Sequence, residues 1–271
     1  MRCAVDNASF AERHLPAPAS LMPDSSRMLP PVSSPELTPV RAHDLLWIAH
    51  AHDLTFTQPA PAWATPAWLE QMPVVVRRET TTHDDAIPVG VRGRARSERM
   101  AGYVRRDRVV RRMTPEAVAD TPLKTWPALD PERACLRTLE RLRPGLAALG
   151  LDWGVTGSAG FALATGVDVL KSTSDLDLLV RAPRTPSAAF KSALSALLAD
   201  QPARVDVQID TGLGGFAFNE WLAARGAVLL KTDRGPVLVA DPWDIHAIDR
   251  AHATQASAHG SSAPIHSEPR S

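Results

Sequence analysis

The run Ser174-Asp175-Leu176-Asp177-Leu178-Leu179-Val180 constrains this chain more than any other stretch. On an extended strand, side chains two apart share a face. A strand over Asp175–Arg181 therefore projects both carboxylates together and turns Leu176, Leu178 and Val180 toward a core. Such a segment needs a sheet with a covered face, and an open place beside its first residues where two charges can bind a cation. Alone, the pair is common at exposed strand ends and carries no function. Its surroundings add the information. Upstream, Trp153–Thr156 reads as a strand, Gly157-Ser158 as a turn, and the residues through Ala164 as a short helix. Glycine lets backbone approach a ligand closely, and a helix start offers N–H groups to phosphate oxygens. Downstream, Val205-Asp206-Val207-Gln208-Ile209 repeats the alternation on a strand over Arg204–Ile209, with Asp206 on its polar face. Carboxylates converging beside a phosphate-binding turn suit a divalent cation for phosphoryl or nucleotidyl transfer, since Mg2+ takes oxygen ligands from one or two carboxylates plus substrate phosphates.

The rest of the chain sorts around this region. After Asp130-Pro131-Glu132, read as an N-cap followed by proline, Leu136, Leu139, Leu142, Leu146 and Leu149 recur at three- and four-residue steps. That spacing predicts an amphipathic helix closed by Gly150. Pro186–Leu198 and Phe216–Ala224 read as helices, and Ala227–Lys231 with Pro236–Ala240 as a hairpin around Asp233-Arg234-Gly235. Nearer the N-terminus, Arg41–Trp47 reads as a short helix, Val74–Arg78 and Ile87–Gly93 as strands, and Thr114-Pro115-Glu116 as a helix start. The expected class is α+β. A small N-terminal α+β module at 41–118 precedes a catalytic domain at 119–250 with a mixed sheet. Residues 1–40, with seven prolines, and the tail 251–271 show no apolar periodicity and are expected to be disordered.

Composition excludes several classes. Across 271 residues, 30 Lys and Arg balance 30 Asp and Glu, so no global charge excess points to nucleic acid or a membrane surface. No apolar run approaches the ~20 residues that span a bilayer. Cys3 and Cys135 are too few for a disulfide framework or a cysteine metal cluster, and no signal-peptide pattern opens the chain. A cytoplasmic protein is expected. Residues 77–112 nonetheless hold eleven arginines against five acids. This is either a solvated surface or a cationic face for phosphates or an acidic protein partner. Tyr103 is the one aromatic residue in that segment, which argues against single-stranded nucleic acid. His43 and Asp44 either reach a site or cap a helix.

Two nucleotide-binding alternatives fail on spacing. Gly154, Gly157 and Gly160 make a loose glycine-rich turn, but the acids open their strand, whereas a dinucleotide fold has its acid at a strand end. Gly166 to Lys171-Ser172 lacks the glycine that precedes a P-loop lysine. Gly157-Ser158 with Asp175-Leu176-Asp177 instead resembles the polymerase-β-type nucleotidyltransferase superfamily. A longer ordered series is more specific: His43-Asp44-Leu45-Leu46-Trp47, Pro88-Val89-Gly90-Val91-Arg92-Gly93, Gly157-Ser158-Ala159-Gly160, the Asp175 run, Gly214-Gly215-Phe216-Ala217, Glu220-Trp221, Leu229-Leu230-Lys231-Thr232 and Gly235-Pro236. Over residues 41–244 this series is similar to the phosphoribosyl-dephospho-CoA transferase family of malonate decarboxylase, the holo-acyl-carrier-protein synthases. The resemblance implies a polymerase-β-like catalytic domain and transfer of a phosphoribosyl-dephospho-CoA group from 2′-(5-triphosphoribosyl)-3′-dephospho-CoA to a serine of the apo acyl-carrier subunit, with diphosphate released. It implies catalytic and metal-binding roles for Asp175 and Asp177 with Mg2+ or Mn2+, and a third acid at Asp206 or its rival Asp210. Gly157 and Ser158 become phosphate contacts, with Lys231 and Arg92 as further substrate-binding candidates. The gap from Ser158 to Asp175 is longer than the superfamily pattern. Two other readings stay open: another nucleotidyltransferase acting on a small molecule, a protein or RNA, and an inactive adaptor that only binds the carrier.

Overall fold

Alternation of period two decides which face each N-terminal strand buries. The computed structural model describes residues 39–260 except 96, 224 and 225. The first elements are β1 (Leu45–Ile48), β2 (Leu54–Phe56), helix α1 (Pro66–Gln71), β3 (Val74–Val76), β4 (Ala86–Arg92), β5 (Arg99–Arg105) and β6 (Val109–Met113). Their strands form a six-stranded antiparallel sheet in the order β2-β5-β4-β3-β1-β6. Leu46, Ile48, Val74, Val76, Val89, Val91 and Val104 point to one face and pack beneath α1, against Leu69 and Ala64. Leu45, Trp47, Val75 and Met113 point to the other face and join the core of the C-terminal half.

That half contains α2 (Pro115–Ala119), α3 (Ala134–Ala148), β7 (Trp153–Val155), α4 (Gly157–Thr165), β8 (Leu176–Arg181), α5 (Ala188–Leu198), β9 (Val205–Asp210), β10 (Gly215–Ala217), α6 (Phe218–Leu222), β11 (Val228–Thr232), β12 (Gly235–Val239) and α7 (Ile245–Gly260). The second sheet runs β12-β11-β10-β9-β8-β7. It is mixed, because β8 and β9 pair in parallel while the flanking pairs are antiparallel. The class is α+β, as expected. Helix α3 buries Leu136, Leu139, Leu142 and Leu146, and Gly150 follows it with φ 72°, the left-handed conformation glycine supplies without strain. Both sheets belong to one compact unit. Among the described residues, no helix is long and apolar enough to cross a membrane.

Several local expectations are corrected. Arg41–Trp47 is not a helix but a turn followed by β1, because β3 and β6 pair with that strand on both sides. Phe216–Ala224 begins as strand β10 between β9 and β11, and only α6 is helical. Asp130 is not the cap of α3; its Oδ1 accepts from the Glu132 N–H in the preceding turn, and the cap position is Arg133. The tail expected to be disordered from 251 is helical to Gly260 in α7, which buries Ile248 and contacts β12 through the Gln255 side chain, whose amide donates to the Pro236 carbonyl. Residues 261–271, and 1–38 of the proposed N-terminal extension, lie outside the described residues.

Candidate active site

Pairing of β8 with β9 brings the predicted acids together. The parallel register sets Asp177 beside Asp206, two residues into each strand. Asp175 precedes β8 on the same face as Asp177. All three carboxylates line a cavity of about 1000 Å3 between the two sheets, as do Gly157, Ser158, Arg92 and Lys231. Asp175, Asp177, Asp206, Gly157, Ser158, Arg92 and Lys231 thus border one space.

The glycine-serine segment is built into this wall rather than standing as a separate turn. The Thr156 N–H donates to the Asp177 carbonyl at 2.9 Å, so α4 begins where β7 leaves β8. Gly157 is the first residue of α4, with φ 63°. A β-carbon there would fall onto the Asp177 carboxylate, so only glycine lets helix and acid approach this closely. Thr156 makes no side-chain cap to the first-turn N–H groups, and Thr156, Gly157 and Ser158 all line the cavity. The long gap before Asp175 lines the same space with Val169, Lys171, Thr173 and Ser174. Arg133 anchors that loop through Asp168, at 2.6 Å, and through the Leu170 carbonyl.

Arg92 arrives from the other sheet. Its backbone carbonyl accepts from Trp68 Nε1 at 2.8 Å, its guanidinium lies 4.7 Å over the Phe161 ring, and its Nη2 donates to Ser158 Oγ at 3.4 Å. It is only 8% exposed, and its Nε has no hydrogen-bond partner. Burial, and then repulsion from Arg99, lowers its pKa, while Asp177 pulls it upward. Arg77, Arg94, Arg99, Lys171 and Arg204 also line the cavity, so the three acids face a larger number of cations.

The fourth acid has a different fate. Asp210, at the far end of β9, is ion-paired to Arg181 and to Arg78, the latter at 3.0 Å, and Arg181 also binds Glu116 at 2.9 Å. Burial pushes the Asp210 carboxyl upward, but the Arg78 and Arg181 guanidiniums outweigh it and hold the pKa below the usual aspartate value. With both oxygens committed, Asp210 is part of the frame. Asp206, by contrast, has a partly exposed pair with Arg204 at 2.8 Å.

His43 reaches the cavity, while Asp44 does not. His43 adopts φ 74°, unusual for a residue with a β-carbon, and its N–H donates to the Val76 carbonyl at 2.9 Å. Gln208 Nε2 lies 3.0 Å from His43 Nε2. An amide nitrogen can only donate, so the imidazole nitrogen accepts and the ring is neutral. Burial foremost, then Arg78 and Arg181, pushes its pKa down to about 4. Asp44 is fully buried and ion-paired to Arg112 at 2.6 Å. Gln208, Arg77, Arg94, Arg99 and Arg204 were not singled out individually from sequence. The parity of β4, where Gly90 and Arg92 alternate with Val89 and Val91, is the signal that could have found Arg99 through its cross-strand partner.

The oxygen-rich acid wall has the chemistry of a hard divalent cation site. Among the described residues, however, no group of three or more Asp, Glu, His or Cys is assembled to hold a metal ion. The three-acid metal set drawn from the sequence is therefore not preformed, since Asp206 leans toward Arg204. What fits is an ion held by one or two carboxylates and completed by substrate phosphate oxygens.

Comparison with known proteins bears on both halves of the fold. A family model described as the phosphoribosyl-dephospho-CoA transferase MdcG C-terminal domain matches residues 123–242, and its N-terminal counterpart matches 41–115. A Klebsiella pneumoniae protein named phosphoribosyl-dephospho-CoA transferase is 42% identical over 210 residues, covering 75% of this chain and 96% of that protein. Proteins of the same name from Pseudomonas putida and Pseudomonas aeruginosa are 41% and 43% identical, covering 75% and 76% of this chain and 95% of each relative. No solved structure matches the chain.

Proposed function

The chain belongs to the phosphoribosyl-dephospho-CoA transferase family of nucleotidyltransferase-type enzymes, and from that premise we propose that it loads the acyl-carrier subunit of malonate decarboxylase with its prosthetic group. The donor is 2′-(5-triphosphoribosyl)-3′-dephospho-CoA, the acceptor a serine of the apo carrier, and the by-product diphosphate. The observation that carries the reading is the register of Asp177 against Asp206 on one wall of a cavity whose opposite sheet supplies Arg92.

In the reaction, the serine oxygen attacks the phosphorus next to the ribose. A new O–P bond forms, the bond to the bridging oxygen of the diphosphate breaks, and the serine proton leaves to a base. Asp206, partly exposed and close to Asp177, is the residue we assign to orient the serine and accept that proton. Asp175 and Asp177 would hold Mg2+ or Mn2+. When bound, that ion neutralises charge on the phosphate oxygens around the reacting phosphorus. The first turn of α4, with Gly157 and Ser158, contacts donor phosphates through backbone N–H groups and the hydroxyl. Arg92 and Lys231 add positive charge on two other sides. Neutral His43 keeps Gln208 oriented beside Asp206, two positions away on the same face of β9. The same reading keeps the protein in the cytoplasm and away from membranes and nucleic acid.

Intact mass of an apo carrier, measured after incubation with this protein, the donor and Mg2+, tests the proposal. A gain equal to the phosphoribosyl-dephospho-CoA group, abolished by EDTA, is expected. An unchanged mass with competent donor and carrier would overturn it, and would favour a different acceptor for the same cavity.

A further inference from the structure

Arg92 and Arg99 are directly opposite each other in the β4–β5 ladder. Like charges in registered cross-strand positions repel, and a fold normally places an acid or an apolar residue across from a buried arginine. Here neither arginine has a carboxylate ion-pair partner among the described residues, although other arginines around the cavity do, Arg77 with Glu79 and Arg204 with Asp206 among them. Arg92 is more than nine-tenths buried, has an unpartnered Nε, and directs Nη2 at Ser158 on the first turn of α4. The side of the guanidinium that packs is apolar, over Phe161. The arrangement combines a desolvated cation, a second cation across the ladder, the Ser158 hydroxyl and the start of α4, all on one cavity; Asp177 attracts Arg92 without forming an ion pair with it.

We propose that Arg92, Arg99 and Ser158 form a diphosphate subsite that grips the leaving group from the N-terminal sheet, opposite the acid wall. This deepens the transfer reaction proposed above and rests on it for the identity of the anion. A dianionic or trianionic group between the two guanidiniums replaces repulsion with two charge-assisted contacts. The division of labour follows: the C-terminal sheet holds the acids that handle the metal and the nucleophile, and the N-terminal sheet holds the departing product. Diphosphate then competes with the donor for the same cations, so it inhibits competitively with respect to donor.

The subsite is tested on the full chain by isothermal titration with sodium pyrophosphate, without donor or carrier. Saturable binding is expected, weakened at least about tenfold in both Arg92→Ala and Arg99→Ala, with Arg92→Lys intermediate because it keeps charge but loses the forked contact. Arg99 is exposed, so its variant folds even if Arg92→Ala does not. A second readout is thermal. Without pyrophosphate, Arg99→Ala should melt at or above the wild-type temperature, because repulsion is relieved. With pyrophosphate, it should lose the upward shift seen in wild type. Wild-type protein that binds no pyrophosphate, or an Arg99→Ala variant that binds it equally well, overturns the subsite. Pyrophosphate binding lost in the variants while wild type leaves the apo carrier unmodified would keep the subsite and sink the transfer reaction. Carrier modification with unaltered pyrophosphate binding in both variants would do the reverse.

Discussion

Strand β9 carries two aspartates with opposite employment. Asp210 at its far end is enclosed by Arg78 and Arg181, and through Arg181 it is tied to Glu116, so that residues from β8, β9, α2 and the segment after β3 share one buried network. Asp206 at the near end shares its cavity with Asp175 and Asp177 and is paired with an exposed arginine, Arg204. The chemistry of the side chains is identical. The difference is how far each carboxylate has been neutralised and dehydrated by the surrounding chain. A buried ion pair is weak evidence of net stabilisation, but removing one partner leaves an uncompensated charge, which is costly. A carboxylate with spare lone pairs toward an open cavity can instead be spent on a ligand. The network end of the strand ties the two sheets together, and the cavity end is the one the proposed reaction uses.

That contrast can be broken by substitution. The largest effect is expected at the cavity end: Asp177→Asn should slow carrier modification about a thousandfold or more while the melting temperature stays at the wild-type value. A loss below tenfold would remove the acid wall from the chemistry. At the network end, Asp210→Asn leaves two guanidiniums without their counter-charge and should cost about 3 kcal/mol in urea unfolding. Activity per folded molecule should survive, and its disappearance in a fully stable variant would erase the distinction between the two ends.

His43 sits between the two ends and gives a pH signature. Its pKa of about 4 in the folded protein lies below the ordinary 6.5, so between those values the unfolded chain takes up a proton that the folded chain refuses. Stability contributed by the neutral ring is therefore complete above pH 6.5 and is lost as pH falls toward 4, by about 3 kcal/mol at most. His43→Asn, which tolerates the left-handed backbone, should flatten stability against pH across that window. A slope unchanged from wild type would place the titration elsewhere. The smallest effect is expected for Arg204→Ala, whose pair with Asp206 is largely solvated and worth no more than about 1 kcal/mol. Stability should hardly move, and a modest rise in KM for donor would sharpen the view that Asp206 serves ligand rather than fold.

Much of this molecule could be read from local pattern. Leucines at helical spacing specified α3, alternation specified β8, β9 and the β11–β12 hairpin, and two acids at the head of β8 announced an open site beside a covered sheet. Those features depend on periods of a few residues, which any chain segment carries within itself. The misread pieces are those whose conformation is set by neighbours far away in sequence. Leu45–Ile48 is a strand because β3 and β6 pair with it, and Gly215–Ala217 is one because it lies between β9 and β11.

The site divides in the same way. The residues alone determined that Asp175 and Asp177 share a face and that Gly157-Ser158 opens a helix near them. Tertiary structure decided that Asp206 rather than Asp210 completes the wall, since only packing could bring Arg78 and Arg181 onto Asp210. It also decided that Arg92 reaches Ser158 from the opposite sheet. A sequence states which groups are charged, but the free energy of each charge depends on the partners and the water left around it, and these are set only when the two sheets meet.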